Sequence, residues 1–371
     1  MNISILLSLF YFFYFAIIGV YIIFMPKILS MSGYEASEIG IIFATAPLIK
    51  FMIPFAFTKG LKLNKTTFNI ALVVMLVSAI SFYFSIDNFY ELILSNIGFG
   101  IGLSLILPYV EVISLESIGK ERYGKVRLFG SVGFVLVALV LVKFLSSVNV
   151  AIAYLVGLSL LTAMSAFLIS KDIKHIDKKD EEIQNDINLL SDWRLWLGLT
   201  LMQVSFGSFY NFFTIYETDF GVSLDVTIYL WSFGVLAEIF MLYHQGRFLK
   251  GNLLFLLQLT TFLTAIRWFL VFMFPQNLTT LFFTQSLHAF SFALFHSSAI
   301  SYLYSRYKNK SLAQQFFSGI TYGLGGFCGA LVAGYIYEVY PSYLFLSSSF
   351  IAFFAFLFIT LHKVVKNHQL R

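Results

Sequence analysis

Twelve apolar stretches divide this 371-residue chain, at roughly 3–25, 36–57, 67–86, 91–114, 124–145, 150–170, 194–216, 226–243, 252–274, 278–304, 314–338 and 343–362. A helix needs about 20 apolar residues to cross a hydrocarbon core. Lipid offers no hydrogen bonds, so each crossing segment must satisfy its own backbone, and a helix does that within one segment. The expected fold class is therefore an all-α polytopic membrane protein with twelve transmembrane helices in two six-helix halves.

The basic residues orient the chain. With the N-terminus in the cytoplasm, the cytoplasmic gaps and the C-terminus hold Lys59, Lys62, Lys65, Lys120, Arg122, Lys125, Arg127, Lys171, Lys174, Lys178, Lys179, Arg194, Arg247, Lys250, Arg306, Lys308, Lys310, Lys363, Lys366 and Arg371. These are 20 of the 24 Lys and Arg residues, and only Lys27 and Lys143 fall on the outer side. Lys and Arg are retained on the cytoplasmic side, so both termini are expected there.

Charged residues make up 12% of the chain against 59% hydrophobic, too few to cover a soluble surface of this size. The net charge of +5 follows from topology and contact with anionic lipid, and no nucleic-acid partner is expected. The single cysteine, Cys328, allows no internal disulfide and no cysteine-based metal cluster; no metal or cofactor is expected. Residues 1–25 lack the basic start and small-residue cleavage site of a signal peptide.

The longest polar run, Lys171–Asp192 (KDIKHIDKKDEEIQNDINLLSD), separates two sets of six apolar stretches. We read residues 1–170 as an N-terminal six-helix half, 171–193 as a cytoplasmic linker and 194–371 as a C-terminal six-helix half. Charge patterning alone makes the run a solvated linker. The layout is also that of transporters built from two halves that rock about a midplane site. The outer loops 86–90, 146–149 and 339–342 are too short to form an external receptor or enzyme domain.

Ionisable residues at membrane depth are costly, which makes them candidates for function. Glu238 lies mid-helix in WSFGVLAEIFMLY, Arg267 in TAIRWFLVF, and His288 and His296 share helix ten. The two histidines are eight residues apart, about 80° around an α-helix. A carboxylate and an imidazole can hold a proton between them, and a guanidinium nearby can bias which of them has it. A Glu238–Arg267 pair could equally serve only to join two helices, and His296 could only bond a carbonyl. Lys50, between Pro47 and Pro54, is close enough to the inner end to snorkel. Glu111 and Arg127 flank the loop between helices four and five, where by position alone both could be interfacial charges.

The residues around these charges carry a resemblance. The stretch YGKVRLFGSVGF (Tyr123–Phe134) resembles the start of helix five in the lactose permease branch of the major facilitator superfamily. PYVE (Pro108–Glu111) and SLHAFSF (Ser286–Phe292) resemble its helix-four and helix-ten motifs, and Arg267 precedes His288 by 21 residues, close to the family spacing. YLWSFGVLAEI (Tyr229–Ile239) is more similar still to the bacterial phenylpropionate permease group. The resemblance implies that Glu111 and Arg127 bind substrate and that Phe134 stacks against its ring. It also implies that Glu238, Arg267 and His288 take part in substrate binding and proton coupling.

Three departures stand out. Ser291 replaces the coupling acid one turn after the histidine, Gln285 replaces a lysine, and the helix-seven stretch Ser208–Phe213 holds no Asp to partner it. The TKGLKLNKTT loop keeps basic residues but lacks the superfamily's D-R-x-G-R/K pattern.

The resulting expectation is an alternating-access secondary transporter in the bacterial inner membrane, working as a monomer. Its partners are a small organic solute, a coupling proton and the bilayer. The solute is an aromatic acid, a saccharide or a nucleoside. A transport-dead sensor or scaffold is the alternative. A membrane enzyme is disfavoured, since no H-E-x-x-H, G-x-S-x-G or paired-Asp metal motif is present.

Overall fold

The computed structural model describes residues 2–171, 187 and 189–369. Among them, eleven helices are long and apolar enough to cross a membrane. We label these α1 (Ile3–Met31), α2 (Ala36–Phe57), α3 (Lys65–Ser85), α4 (Phe89–Gly119), α5 (Arg122–Phe144), α6 (Val148–Lys171), α8 (Leu224–Lys250), α9 (Leu253–Met273), α10 (Leu278–Arg306), α11 (Leu312–Val339) and α12 (Pro341–Val364). The twelfth, α7, is made of two shorter segments, Trp193–Ser205 and Gly207–Asp219, meeting at a turn at Phe206. No strand occurs among the described residues.

Local chemistry explains where helices start and stop. Side chains of Asn64, Asn88, Asn252, Asn277 and Asn309 each accept a backbone N–H from the first turn of α3, α4, α9, α10 and α11. These caps satisfy donors that have no partner inside the helix. Gly119, at φ +73°, lets the chain reverse between α4 and α5.

The chain divides into two compact units, Met1–Asp180 and Glu181–Arg371. Most of the proposed linker, residues 172–186 and 188, lies outside the described residues. Its end is described: Asp192 accepts from Arg306 Nε and Nη2 at 3.2 and 3.3 Å and from the Tyr307 hydroxyl at 2.6 Å.

Within each unit, small residues set the helix crossings. A Cβ on Gly133 would sit 2.1 Å from the Phe12 carbonyl oxygen, so α5 crosses α1 backbone to backbone. In the second unit a Cβ on Gly207 would lie 2.2 Å from the carbonyl of Gly329, giving α7 and α11 the same relation. Apolar side chains gain nothing over lipid by meeting each other, so close backbone approach is the main source of helix attraction. Gly100 against Ala46 does the same for α4 and α2, whereas Gly234 of α8 makes room for the Gln285 side chain of α10, whose Oε1 would lie 3.1 Å from a Cβ there.

Two helix geometries differ from the sequence expectation. The expected seventh helix, 194–216, runs on to Asp219 and carries Glu217 into the interior. Helix α10 contains a π-helical segment, Ala289–Leu294. Its extra residue cancels about 100° of rotation, so His288 and His296 share one side of the helix rather than standing apart. Phe292 stacks between them, its ring centroid 5.2 Å from His288 and 6.4 Å from His296.

Candidate functional site

The first unit gathers a charged cluster on three helices. Arg127 Nε on α5 lies 3.9 Å from Glu111 Oε1 on α4, with the side chains 31% and 32% exposed. Tyr123 donates its hydroxyl to the same Glu111 oxygen at 3.1 Å. The guanidinium lies 3.8 Å above the Phe15 ring and 5.5 Å from the Tyr11 ring, both on α1. Gly130 makes that placement possible, because a Cβ there would come within 2.9 Å of Arg127 Nη1 and 2.7 Å of Phe15 Cδ2. The Tyr11 hydroxyl is fixed by Ser114 at 2.9 Å. Phe134 follows Arg127 by seven residues, two turns along one helix face. It is half-buried, with its backbone against Gly19.

The second unit holds a linear array. Glu238 Oε2 on α8 is 3.6 Å from His288 Nε2 on α10, and Arg267 Nη1 on α9 is 3.0 Å from His288 Nδ1. A guanidinium has no lone pair, so His288 must accept at Nδ1 and carry its proton on Nε2, facing Glu238. Arg267 also donates to Ser291 Oγ at 2.8 Å and to Gln285 Oε1 at 2.9 Å. It is fully buried, 4.3 Å from the Trp268 ring and 4.6 Å from the Phe209 ring. The expected Glu238–Arg267 contact is therefore indirect: among the described residues no carboxylate lies within ion-pair distance of Arg267. The imidazole stands between the two charges.

The arrangement gives each unit one half-exposed or buried set of opposite charges backed by aromatic rings, and the MFS_1 like family model matches residues 4–347. The chain belongs to the major facilitator superfamily. It is a multi-pass membrane transporter of that type and not an enzyme.

Among its relatives is the "Probable 3-phenylpropionic acid transporter" of Escherichia coli (strain K12), 24% identical over 347 residues, covering 90% of each chain. The "Uncharacterized transporter YwbF" of Bacillus subtilis (strain 168) is 25% identical over 373 residues, covering 95% of this chain and 90% of its own. Among solved structures, the nucleoside transporter NupG superposes with a TM-score of 0.77 at 16% identity, covering 97% and 99% of the two chains. The D-xylose-proton symporter gives 0.66 at 14% identity, covering 96% and 95%. At these identities the two structures establish the fold.

Against that family, the departures acquire partners. Ser291 and Gln285, which replace an acid and a lysine, are two of the groups that receive Arg267. Lys50, which the sequence reads as close enough to the inner end to snorkel, lies within electrostatic reach of Glu111. His296, read as a residue that could merely bond a carbonyl, bonds the Tyr322 hydroxyl at 2.6 Å. Tyr322 belongs to a second π-helical segment, Phe317–Leu324 of α11, and is within electrostatic reach of Glu238.

Proposed function

We propose that the chain carries a small aromatic carboxylic acid together with a proton, by alternating access. The observation that carries the substrate class is the setting of Arg127. Its guanidinium lies on the Phe15 ring, its side chain is 31% exposed, and Glu111 Oε1 stands 3.9 Å away, which leaves its donors open to an anionic ligand.

Arg127 is suited to the carboxylate, since its planar fork can donate two parallel hydrogen bonds. Its contact with Glu111, at 3.9 Å, is longer than a hydrogen bond, so a ligand carboxylate can compete for it. Phe134, on the same helix face, supplies a flat apolar wall for a ring. The relative named for 3-phenylpropionic acid supports this reading over a saccharide or a nucleoside.

The proton is assigned to Glu238. Ionised, it faces the Nε2–H of His288, and Arg267 on the far side of the imidazole reinforces that polarity. Protonated, it no longer attracts the imidazole, and the only full charge left in the array is Arg267. The proton thus changes the net charge of the array by one unit at membrane depth, where charge is most costly. That change can bias one conformation over another in the way symport requires.

Both termini are assigned to the cytoplasm on the basic-residue bias described above. The substrate class is tested by melting the purified protein with 3-phenylpropionate, D-xylose and uridine in turn. A ligand of the folded state raises the melting temperature. A rise with 3-phenylpropionate alone is expected. A rise confined to xylose or uridine would reassign the substrate.

A further inference from the structure

The last turn of α7 carries two carboxyl groups that the fold treats oppositely. Asp219 is exposed, and the Tyr337 hydroxyl of α11 donates to its Oδ2 at 2.8 Å. Glu217 is 0% exposed, and neither Oε1 nor Oε2 has a hydrogen-bond partner. Its own backbone carbonyl is occupied by Val222 N–H at the turn that follows, so the segment holding it is fixed.

Among the described residues the surroundings offer no counter-charge. Tyr216 of α7 and Tyr337 of α11 lie within electrostatic reach of Glu217. Among the described residues, no Lys, Arg or His of α8, α11 or α12, the helices packed on this segment, forms an ion pair with it. The Tyr216 ring is itself packed edge-on against Phe345 at 4.8 Å and tilted over Phe220 at 4.4 Å. An ionised carboxylate enclosed in this way, with neither donor nor cation, is strongly disfavoured, whereas a neutral acid is tolerated.

We propose that Glu217 is a second proton-binding site of the carrier, holding a proton in the conformation described and exchanging it with the outer aqueous phase during the cycle. The inference deepens, and rests on, the proton-symport reading. It does not depend on the role of Glu238. The position supports the direction of exchange: Glu217 lies two residues from exposed Asp219, at the end of α7 that the basic-residue distribution assigns to the outer face. The step is a simple equilibrium, a proton from external water adding to a carboxylate oxygen and leaving the same way. Tyr337, whose hydroxyl donates to Asp219, is within electrostatic reach of both carboxyls. The sequence hid this site because hydropathy ended the seventh helix at residue 216 and left Glu217 in a loop.

The test uses the full-length protein in lipid, with infrared spectroscopy at neutral pH and solute-driven proton uptake in proteoliposomes. Glu217→Gln keeps the shape of the neutral acid and should fold. The wild type and Glu238→Gln should both show a protonated-carboxyl band that Glu217→Gln lacks. Glu217→Gln should also lose protons taken up per solute while retaining solute exchange. An unchanged band in Glu217→Gln overturns the proposal. So does loss of the band with an unchanged proton-to-solute ratio, which would leave Glu217 a purely structural acid. If the wild type itself takes up no protons with solute, the symport reading fails and proton exchange at Glu217 falls with it.

Discussion

Gly130 is the most informative residue to change in the first-unit cluster, because its missing side chain lets Arg127 lie on Phe15. In Gly130→Ala the new methyl would meet Phe15 Cδ2 at 2.7 Å and Arg127 Nη1 at 2.9 Å, against 3.4 Å for ordinary contact. Both groups must retreat by roughly half an ångström or more in a packed interior. The cation–π contact, worth about 0.5–2 kcal/mol, is weakened. The charge-assisted hydrogen bond to a ligand carboxylate, worth about 1.5–3 kcal/mol, is misaligned but not lost. The combined cost to binding should be about 1–2 kcal/mol, or roughly 5- to 30-fold in Kd. Calorimetric titration of 3-phenylpropionate into the purified variant measures it, with melting temperature as the check on folding. Gly124→Ala is the control, since a Cβ there meets nothing within 4 Å, and its affinity should equal that of the wild type. Wild-type affinity in Gly130→Ala would refute the claim that Arg127, placed as it is here, holds the ligand.

Three further outcomes follow from the same account. Phe134→Trp should transport normally and Phe134→Ala should weaken binding by about 1 kcal/mol, because the site needs a flat apolar face; normal transport by Phe134→Ala would make the residue mere packing. Burial pushes the Asp192 carboxyl up, but hydrogen bonds from Arg306 and Tyr307 and the Arg306 charge outweigh it and hold the group below its ordinary value. A depressed folded-state value means stability present above the unfolded pKa of about 3.9 and lost as pH falls through the folded one. Asp192→Asn should therefore melt below the wild type at pH 7, with the gap closing below about pH 4; a gap constant with pH would contradict the ion pair. In a chain with Cys328→Ser, an introduced Asp180→Cys should resist an impermeant thiol reagent in intact cells, and labelling there would invert the assigned topology.

The fold was legible in the sequence because lipid leaves a crossing segment so few options. Apolar length marked the helices, and small residues at positions 133, 207 and 329 mark their crossings. The geometry within helices was less legible. Periodicity assumes 3.6 residues per turn, so the π segment at Ala289–Leu294 made His288 and His296 look divergent when they share a face. Hydropathy stops a helix at its first cluster of polar residues, so ETD after Tyr216 read as loop although Glu217 is buried. The order Glu238, His288, Arg267 could not be read from spacing, because it depends on how α8, α9 and α10 rotate about their axes. The roles of Ser291 and Gln285 were hidden for a similar reason: a lost acid and a lost lysine leave no trace of what replaced them as partners of Arg267.

The central claim is that Glu238 carries the proton that drives solute movement, and proteoliposomes test it most directly. Wild-type protein under an imposed pH gradient, acidic outside, should accumulate labelled 3-phenylpropionate above its external concentration and stop when a protonophore collapses the gradient. Glu238→Gln should still exchange labelled for unlabelled solute but should not accumulate it. Accumulation by Glu238→Gln equal to that of the wild type would contradict the assignment, leaving Glu238 as the structural partner of His288 and placing the coupling elsewhere.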